Sequence, residues 1–236
     1  GADIAIMPLS SFVASYERLR ALAPEVVFVI GWSRGREALY GDKATALAKL
    51  PASIPQRKAN GAVATANLPF VDFDVYRTFF EQLEKLKLEG TIQDFRAFPY
   101  DWRKNPIDII ENGTFYNQRT RFATDVVEEL AAESHSGKVT IVGHSNGGLV
   151  AKALMRRLER EGKADLVDTV MFVGVPHLGT PQTLVPMLHG DYGKLTSFGG
   201  LYLSKPNARQ LVEYMPDAFA LLPSSAYFEK VDDPVV

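Results

Sequence analysis

The sequence predicts a doubly wound α/β fold with a mostly parallel sheet, and three observations predict it. Val26-Val27-Phe28-Val29-Ile30 is a continuous β-branched and aromatic run that stops at Gly31, as a strand buried on both faces does. Beyond it, short apolar runs alternate with amphipathic segments of helical length. Crossovers of that length make neighbouring strands parallel and place helices on both faces of the sheet. The chain has 236 residues, 46% of them apolar, enough for one sizeable core.

The elements follow in order. Residues 51–69 hold Pro51, Pro55, Gly61 and Pro69 among small side chains, which predicts loop. Asp74 is a cap for a helix over 75–89, where Val75, Phe79, Leu83 and Leu86 share one face and Gly90 is the stop. A strand over 92–98 ends at Pro99, and a helix over 115–133 follows from Phe122, Val126 and Leu130 at a spacing of four. Val139 to Val142 predicts a third strand. A helix over 149–160 turns Val150, Leu154 and Leu158 inward and Arg156, Arg157, Glu159 and Arg160 outward, and 169–175 is a fourth strand. Residues 181–236 mix Gly, Pro and apolar groups and predict a partly helical lid or cap region on a single domain spanning 1–236.

Composition excludes several functions. With 26 basic and 28 acidic residues the net charge is -2, which lacks the basic face of a nucleic-acid binder. No apolar run reaches the roughly 18 residues of a membrane-spanning helix. The absence of cysteine excludes disulfides, thiolate nucleophiles and Cys-type metal sites. The chain opens Gly1-Ala2 rather than with Met, which suggests a processed or excised piece.

The chemistry concentrates in Gly143-His144-Ser145-Asn146-Gly147. This G-x-S-x-G follows a predicted strand and opens a predicted helix, the context of a nucleophile elbow. So tight a turn needs flanking residues without bulk, which Gly143 and Gly147 supply. Ser145 is then the nucleophile. The amide of Asn146, at the helix start, points at the developing oxyanion. A second donor comes from the loop after an earlier strand: the N–H of Trp32, with Ser33 as the alternative. His144 precedes the serine and is expected to pack rather than to act as base.

Val142-Gly143-His144-Ser145-Asn146-Gly147-Gly148-Leu149-Val150-Ala151 resembles a lipase elbow. Phe98-Pro99-Tyr100-Asp101-Trp102-Arg103 and Gly174-Val175-Pro176-His177-Leu178-Gly179-Thr180-Pro181 resemble segments of lecithin:cholesterol acyltransferase-like proteins. Leu221-Leu222-Pro223-Ser224 with Ala226-Tyr227-Phe228 resembles their bacterial members. Where the family has Pro-Gly after the first core strand, this chain has Ile30-Gly31. The resemblance implies an α/β-hydrolase fold and a Ser-Asp-His triad acting on lipid esters, with no metal or organic cofactor. It makes Asp101 and His177 structural, and it leans towards a secreted protein.

The acid and the base of that triad are missing from the pattern. In this fold they follow the serine in the order acid, then histidine. After Ser145 the chain offers only His177 and His189, and no later strand carries Asp191 or Asp217. The expectation is an incomplete domain lacking its C-terminal strands, with the partners outside this chain, on a further segment or on a second chain. Its sheet would end at the 169–175 strand, that edge open or covered by another chain. The alternative is a rewired triad of His189 with Asp191 or Asp217.

Three functions follow. The first is a lipid-ester hydrolase or acyltransferase, with 184–203 as lid or acyl-chain wall and a lipid surface as partner. The second is a non-catalytic half or assembly module that needs a complementary chain. The third is an esterase or thioesterase on soluble acyl substrates. Asn112-Gly113-Thr114 is a glycosylation sequon, used only in a secreted eukaryotic chain.

Overall fold

A computed structural model describes residues 3–7, 18–22, 24–30, 77–116, 119–190 and 205–231. The chain divides into two compact units. One takes Gly1–Ala38, Asp74–Trp102 and Pro106–His177, the other Leu39–Phe73, Arg103–Asn105 and Leu178–Val236.

The first unit is an α/β sandwich. Its strands are β1 (Asp3–Met7), β2 (Val26–Ile30), β3 (Asp94–Phe98), β6 (Val139–His144) and β7 (Val167–Val173), in the order β1-β7-β6-β2-β3. Every neighbouring pair is parallel. Helices α1 (Arg77–Leu88), α2 (Pro106–Asn112), α3 (Ala123–Glu133) and α4 (Asn146–Arg160) pack on this sheet. Period-two alternation sends Val26, Phe28 and Ile30 to one face with α2, α3 and α4. It sends Val27 and Val29 to the other with Phe79, Leu83 and Leu86 of α1. The sheet is therefore wound on both faces, as the sequence predicts. A register shift between Val139 and Thr140 lets β7 keep Val167 and Val170 on one face although their spacing is odd.

The structure corrects the sequence at several elements. The predicted helix over 115–133 starts only at Ala123, because Phe122 is extended (φ -102, ψ 143) and stands as its N-cap. Before it lie α2 and an antiparallel pair, β4 (Thr114–Tyr116) and β5 (Arg119–Arg121). The spacing of Phe122 to Val126 and Leu130 misplaced that boundary. Helix α4 begins three residues earlier than predicted, and β7 runs over 167–173 rather than 169–175.

The outer edge of β7 is neither open nor held by another chain. Strand β1 takes it, in register from Asp3 opposite Thr169 to Met7 opposite Val173. Residues 31–76 lie outside the described residues, and with them the 51–69 loop, the Asp74 cap and Val75.

At the amino edge of the sheet, Glu25 Oε2 accepts from the Ser134 hydroxyl (2.6 Å) and the Ser136 N–H (2.8 Å). These bonds, the Ser134 hydroxyl first, hold its carboxyl below the usual range. They tie the start of β2 to the end of α3.

The second unit is helical in its described part: α5 (Leu184–His189), α6 (Lys205–Glu213), α7 (Pro216–Ala220) and α8 (Ser225–Lys230). Its ends are tied by a backbone clasp. The Thr180 N–H donates to Leu221 O (2.8 Å) and the Ser224 N–H to Leu178 O (2.9 Å). Gly179 sits between them at φ +87, where a Cβ would overlap Leu222 O and stand 2.8 Å from Pro223 Cα. The 40 or so residues from Thr180 to Leu221 therefore leave and return at one point.

Candidate active site

The parallel register sets Met7, His144 and Val173 level at the carboxyl edge of the sheet, with Ile30 and Phe98 one residue below, opposite Gly143. In open α/β sheets this edge is where ligands bind. Asp101, Ser145 and His177 all leave the sheet there, on the segments after β3, β6 and β7.

Ser145 joins β6 to α4 with φ 52 and ψ -127. It has the only positive φ of any non-glycine among the described residues. Such backbone costs about 1–3 kcal/mol and persists only where the surroundings over-determine it. Here they do. The Ser145 N–H donates to Val173 O (2.8 Å), and Ser145 O accepts from the Gly148 N–H (3.0 Å). A Cβ on Gly143 would stand 2.7 Å from Gly148 Cα, so the strand end and the helix start touch backbone to backbone. A Cβ on Gly148 would overlap Val175 Cγ2 and stand 2.6 Å from Cγ1. Gly148 lies outside the G-x-S-x-G pattern, and only its packing identifies it. Ser145 itself is half-exposed.

Asn146 is the first residue of α4 and is buried. Its amide stands at the start of the helix, at the positive end of the helix dipole. Trp32 and Ser33, the sequence candidates for the second donor, lie outside the described residues.

The chain has four histidines, all described. His144 ends β6; burial pushes its imidazole down to about 4, so it is neutral at pH 7. His177 follows β7. Its ring stands edge-on to Phe172 (4.8 Å between centroids, 89°). Its Nε2 is buried and meets no hydrogen-bond partner among the described residues. Burial first, then the Lys152 ammonium, holds its pKa below the ordinary imidazole value. His135 sits beyond α3, with Nδ1 3.0 Å from Gln93 Oε1, on the amino side of the sheet. His189 ends α5 in the second unit and is exposed.

The acidic candidates are scattered. Asp101 is half-buried between Tyr100, which is in the core, and Trp102, which packs on it. β3 is two strands from β6, about 10 Å at ordinary strand spacing. Asp217 is buried in the first turn of α7, and its N–H donates to Arg103 O (3.1 Å). Asp191 lies outside the described residues. No group of three or more His, Asp or Glu spaced for a metal occurs among the described residues. No described helix is long and apolar enough to cross a membrane.

Comparison with known proteins follows the same residues. The family model for lecithin:cholesterol acyltransferase matches residues 27–233. Among curated proteins, the lysosomal phospholipase A and acyltransferase of Rattus norvegicus is 28% identical over 142 residues, 58% of this chain and 32% of that protein. The dog protein of the same name is 28% identical over 136 residues, 56% of this chain and 31% of its own length. The human one is 28% identical over 109 residues, 46% and 24%. The chain thus spans about a third or less of the curated relatives it matches. No solved structure matches.

Proposed function

The chain belongs to the lecithin:cholesterol acyltransferase family, and from that premise we propose that it carries the nucleophile half of a serine lipid-ester hydrolase or acyltransferase. One observation carries this: a serine at φ 52, tied on both sides, between a buried strand and a helix N-terminus at the carboxyl edge. The curated relatives are named for phospholipase and acyltransferase activity, which supports lipid esters as the substrate class. Phospholipids are the first members to try.

In the proposed reaction Ser145 Oγ bonds to the acyl carbon and its proton passes through a base to the leaving alkoxide as the ester C–O bond breaks. The Asn146 amide holds the oxyanion, and an N–H near Trp32 is the second donor. Water or an acceptor alcohol then takes the acyl group and returns the serine.

We place the base outside the described histidines of the first unit. Burial holds His144 at about 4 and makes it a poor proton acceptor, the His177 ring packs edge-on to Phe172, and His135 is on the amino side of the sheet. We take the acid and base to be residues outside this sequence, on a further segment or a second chain. His189 with Asp191 or Asp217 is the rival.

The test is intact mass before and after a fluorophosphonate probe, with Ser145→Ala as control. One adduct that disappears in Ser145→Ala supports the nucleophile. No adduct on the folded chain means that this chain alone is a half-site. A nitrophenyl ester series on any labelled form then separates substrates: a long-chain optimum supports lipid esters, and a short-chain optimum replaces them with soluble acyl esters.

A further inference from the structure

Glycine in the first turn of a helix destabilises it relative to alanine, so Gly148 needs a local reason, and the reason lies across the sheet edge. The turn after β7 holds Val175 over it. The His177 N–H donates to Val175 O (2.9 Å), and the His177 ring stands edge-on to Phe172 (4.8 Å). These two contacts close the turn, and Val175 packs against the core cluster of α4. Its side chain takes the space in which a Cβ on Gly148 would stand, 2.6 Å from Cγ1 and 2.9 Å from Cβ. On the opposite side, the Cβ position of Gly143 lies 3.0 Å from Gly148 N. Gly148 is therefore held between the end of β6 and Val175.

The consequence runs through one peptide plane. The Gly148 N–H donates to Ser145 O (3.0 Å). That carbonyl and the Asn146 N–H belong to the same planar peptide and point in opposite directions. Fixing the carbonyl fixes the aim of the amide. The peptide before Ser145 is tied to Val173 O at 2.8 Å. Both peptides that flank the serine thus take their orientation from the end of β7.

We propose that Val175 is a positioning residue for the oxyanion site: by holding Gly148 in place it aims the Asn146 N–H. This rests on Ser145 as the nucleophile. It adds that the aim of the oxyanion donor is set from the turn after β7, not from the elbow alone.

The test is a four-member cycle: wild type, Val175→Ala, Gly148→Ala and the double variant. Two readouts are taken on folded protein. The first is the fluorophosphonate reaction at Ser145, resolved into the maximal labelling rate and the half-saturating probe concentration. Val175→Ala is expected to lower the maximal rate about tenfold, a fraction of what losing an oxyanion donor costs, with half-saturation unchanged. Gly148→Ala is expected to lower it further. The double variant, whose new methyl enters the space left by the Val175 methyls but still meets Cβ at 2.9 Å, is expected to recover part of the rate. Val175→Ala at the wild-type rate, or a double variant no faster than the slower single, overturns the proposal.

The second readout is amide hydrogen exchange of Gly148, whose N–H is bonded to Ser145 O, and it needs no activity. It is expected to quicken in Val175→Ala while Val170 in β7 is unchanged. Equal exchange at Gly148 in the two proteins overturns the proposal even if no form labels. Failure of wild type to label, with exchange as expected, counts against the assembled nucleophile and leaves the positioning role standing.

Discussion

The surroundings of Ser145 and the segment from Leu178 to Val231 are held by different forces. Around the elbow, β2 and β6 are buried along their whole length, and α4 sets Val150, Leu154 and Leu158 against them. Shape there comes from burial on both faces of a sheet. In the second segment α5 and α8 have no buried residue, and Leu188, Tyr214, Phe219 and Phe228 are exposed. Burial there is confined to Ala208, Val212, Met215 and Ala218 among its described hydrophobic residues, and the clasp between Leu178–Thr180 and Leu221–Ser224 ties the ends. A strained serine needs the first kind of support, because only a packed core resists relaxation at such a residue.

That contrast predicts unequal responses to substitution. The largest belongs to the core. Leu154→Ala should destabilise the first unit by about 3 kcal/mol, the usual cost of a buried leucine, seen as a lower urea midpoint. Leu188→Ala should change it by less than about 0.5 kcal/mol, as exposed positions do. Equal costs at the two sites would break the comparison.

Next comes the clasp. Gly179→Ala puts a Cβ into Leu222 O at φ +87 and should weaken the second segment by about 2 kcal/mol. Limited proteolysis should then cut within 178–231 first, while the core amides keep their exchange rates. Loss of core protection instead would mean that the two regions unfold together.

The third effect is pH dependence at the elbow. Folded His144 titrates at about 4, below the ordinary 6.5 of an unfolded chain. The unfolded state therefore binds the proton first, and the stabilising contribution is complete above pH 6.5 and lost as pH falls towards 4. The loss should be roughly 1–2 kcal/mol, allowing for partial solvent screening. His177 shifts in the same direction, so the quantity to measure is the difference between wild type and His144→Gln in urea at pH 7 and pH 4.5. A difference independent of pH would remove His144 as its source.

The smallest effect tests one bond of the clasp. Ser224→Ala removes the hydroxyl bond to Leu178 O (3.0 Å) and keeps the N–H bond. It should cost about 0.5–1 kcal/mol, visible as faster exchange at the Ser224 amide.

Much of the first unit was legible because its signals are local. Val26 to Ile30, the Phe79-Leu83-Leu86 face and the strand–Gly143-x-Ser145-x-Gly147–helix succession each lie within a dozen residues. Periodicity and motif context encode them directly. The region from 106 to 122 was not legible. There Phe122 continues the spacing of Val126 and Leu130 although it is extended, and only the pairing of β4 with β5 reveals the boundary. At the site, Ser145 and Asn146 came from the motif, whereas Gly148 and Val175 came from packing between segments.

The sequence by itself determined the α/β alternation, the burial of β2 and the place of the serine between strand and helix. Hydrophobic period and glycine spacing act on neighbouring residues, so they survive without any long-range partner. Only the tertiary structure decided that β1 lies on the outer edge of β7, that Val175 rests on Gly148 and that Gly179 closes against Leu222. Each of these joins residues far apart in the chain. A strand of five residues pairs with any compatible edge, and a glycine accepts any close neighbour, so the choice of partner is made by how the whole core packs.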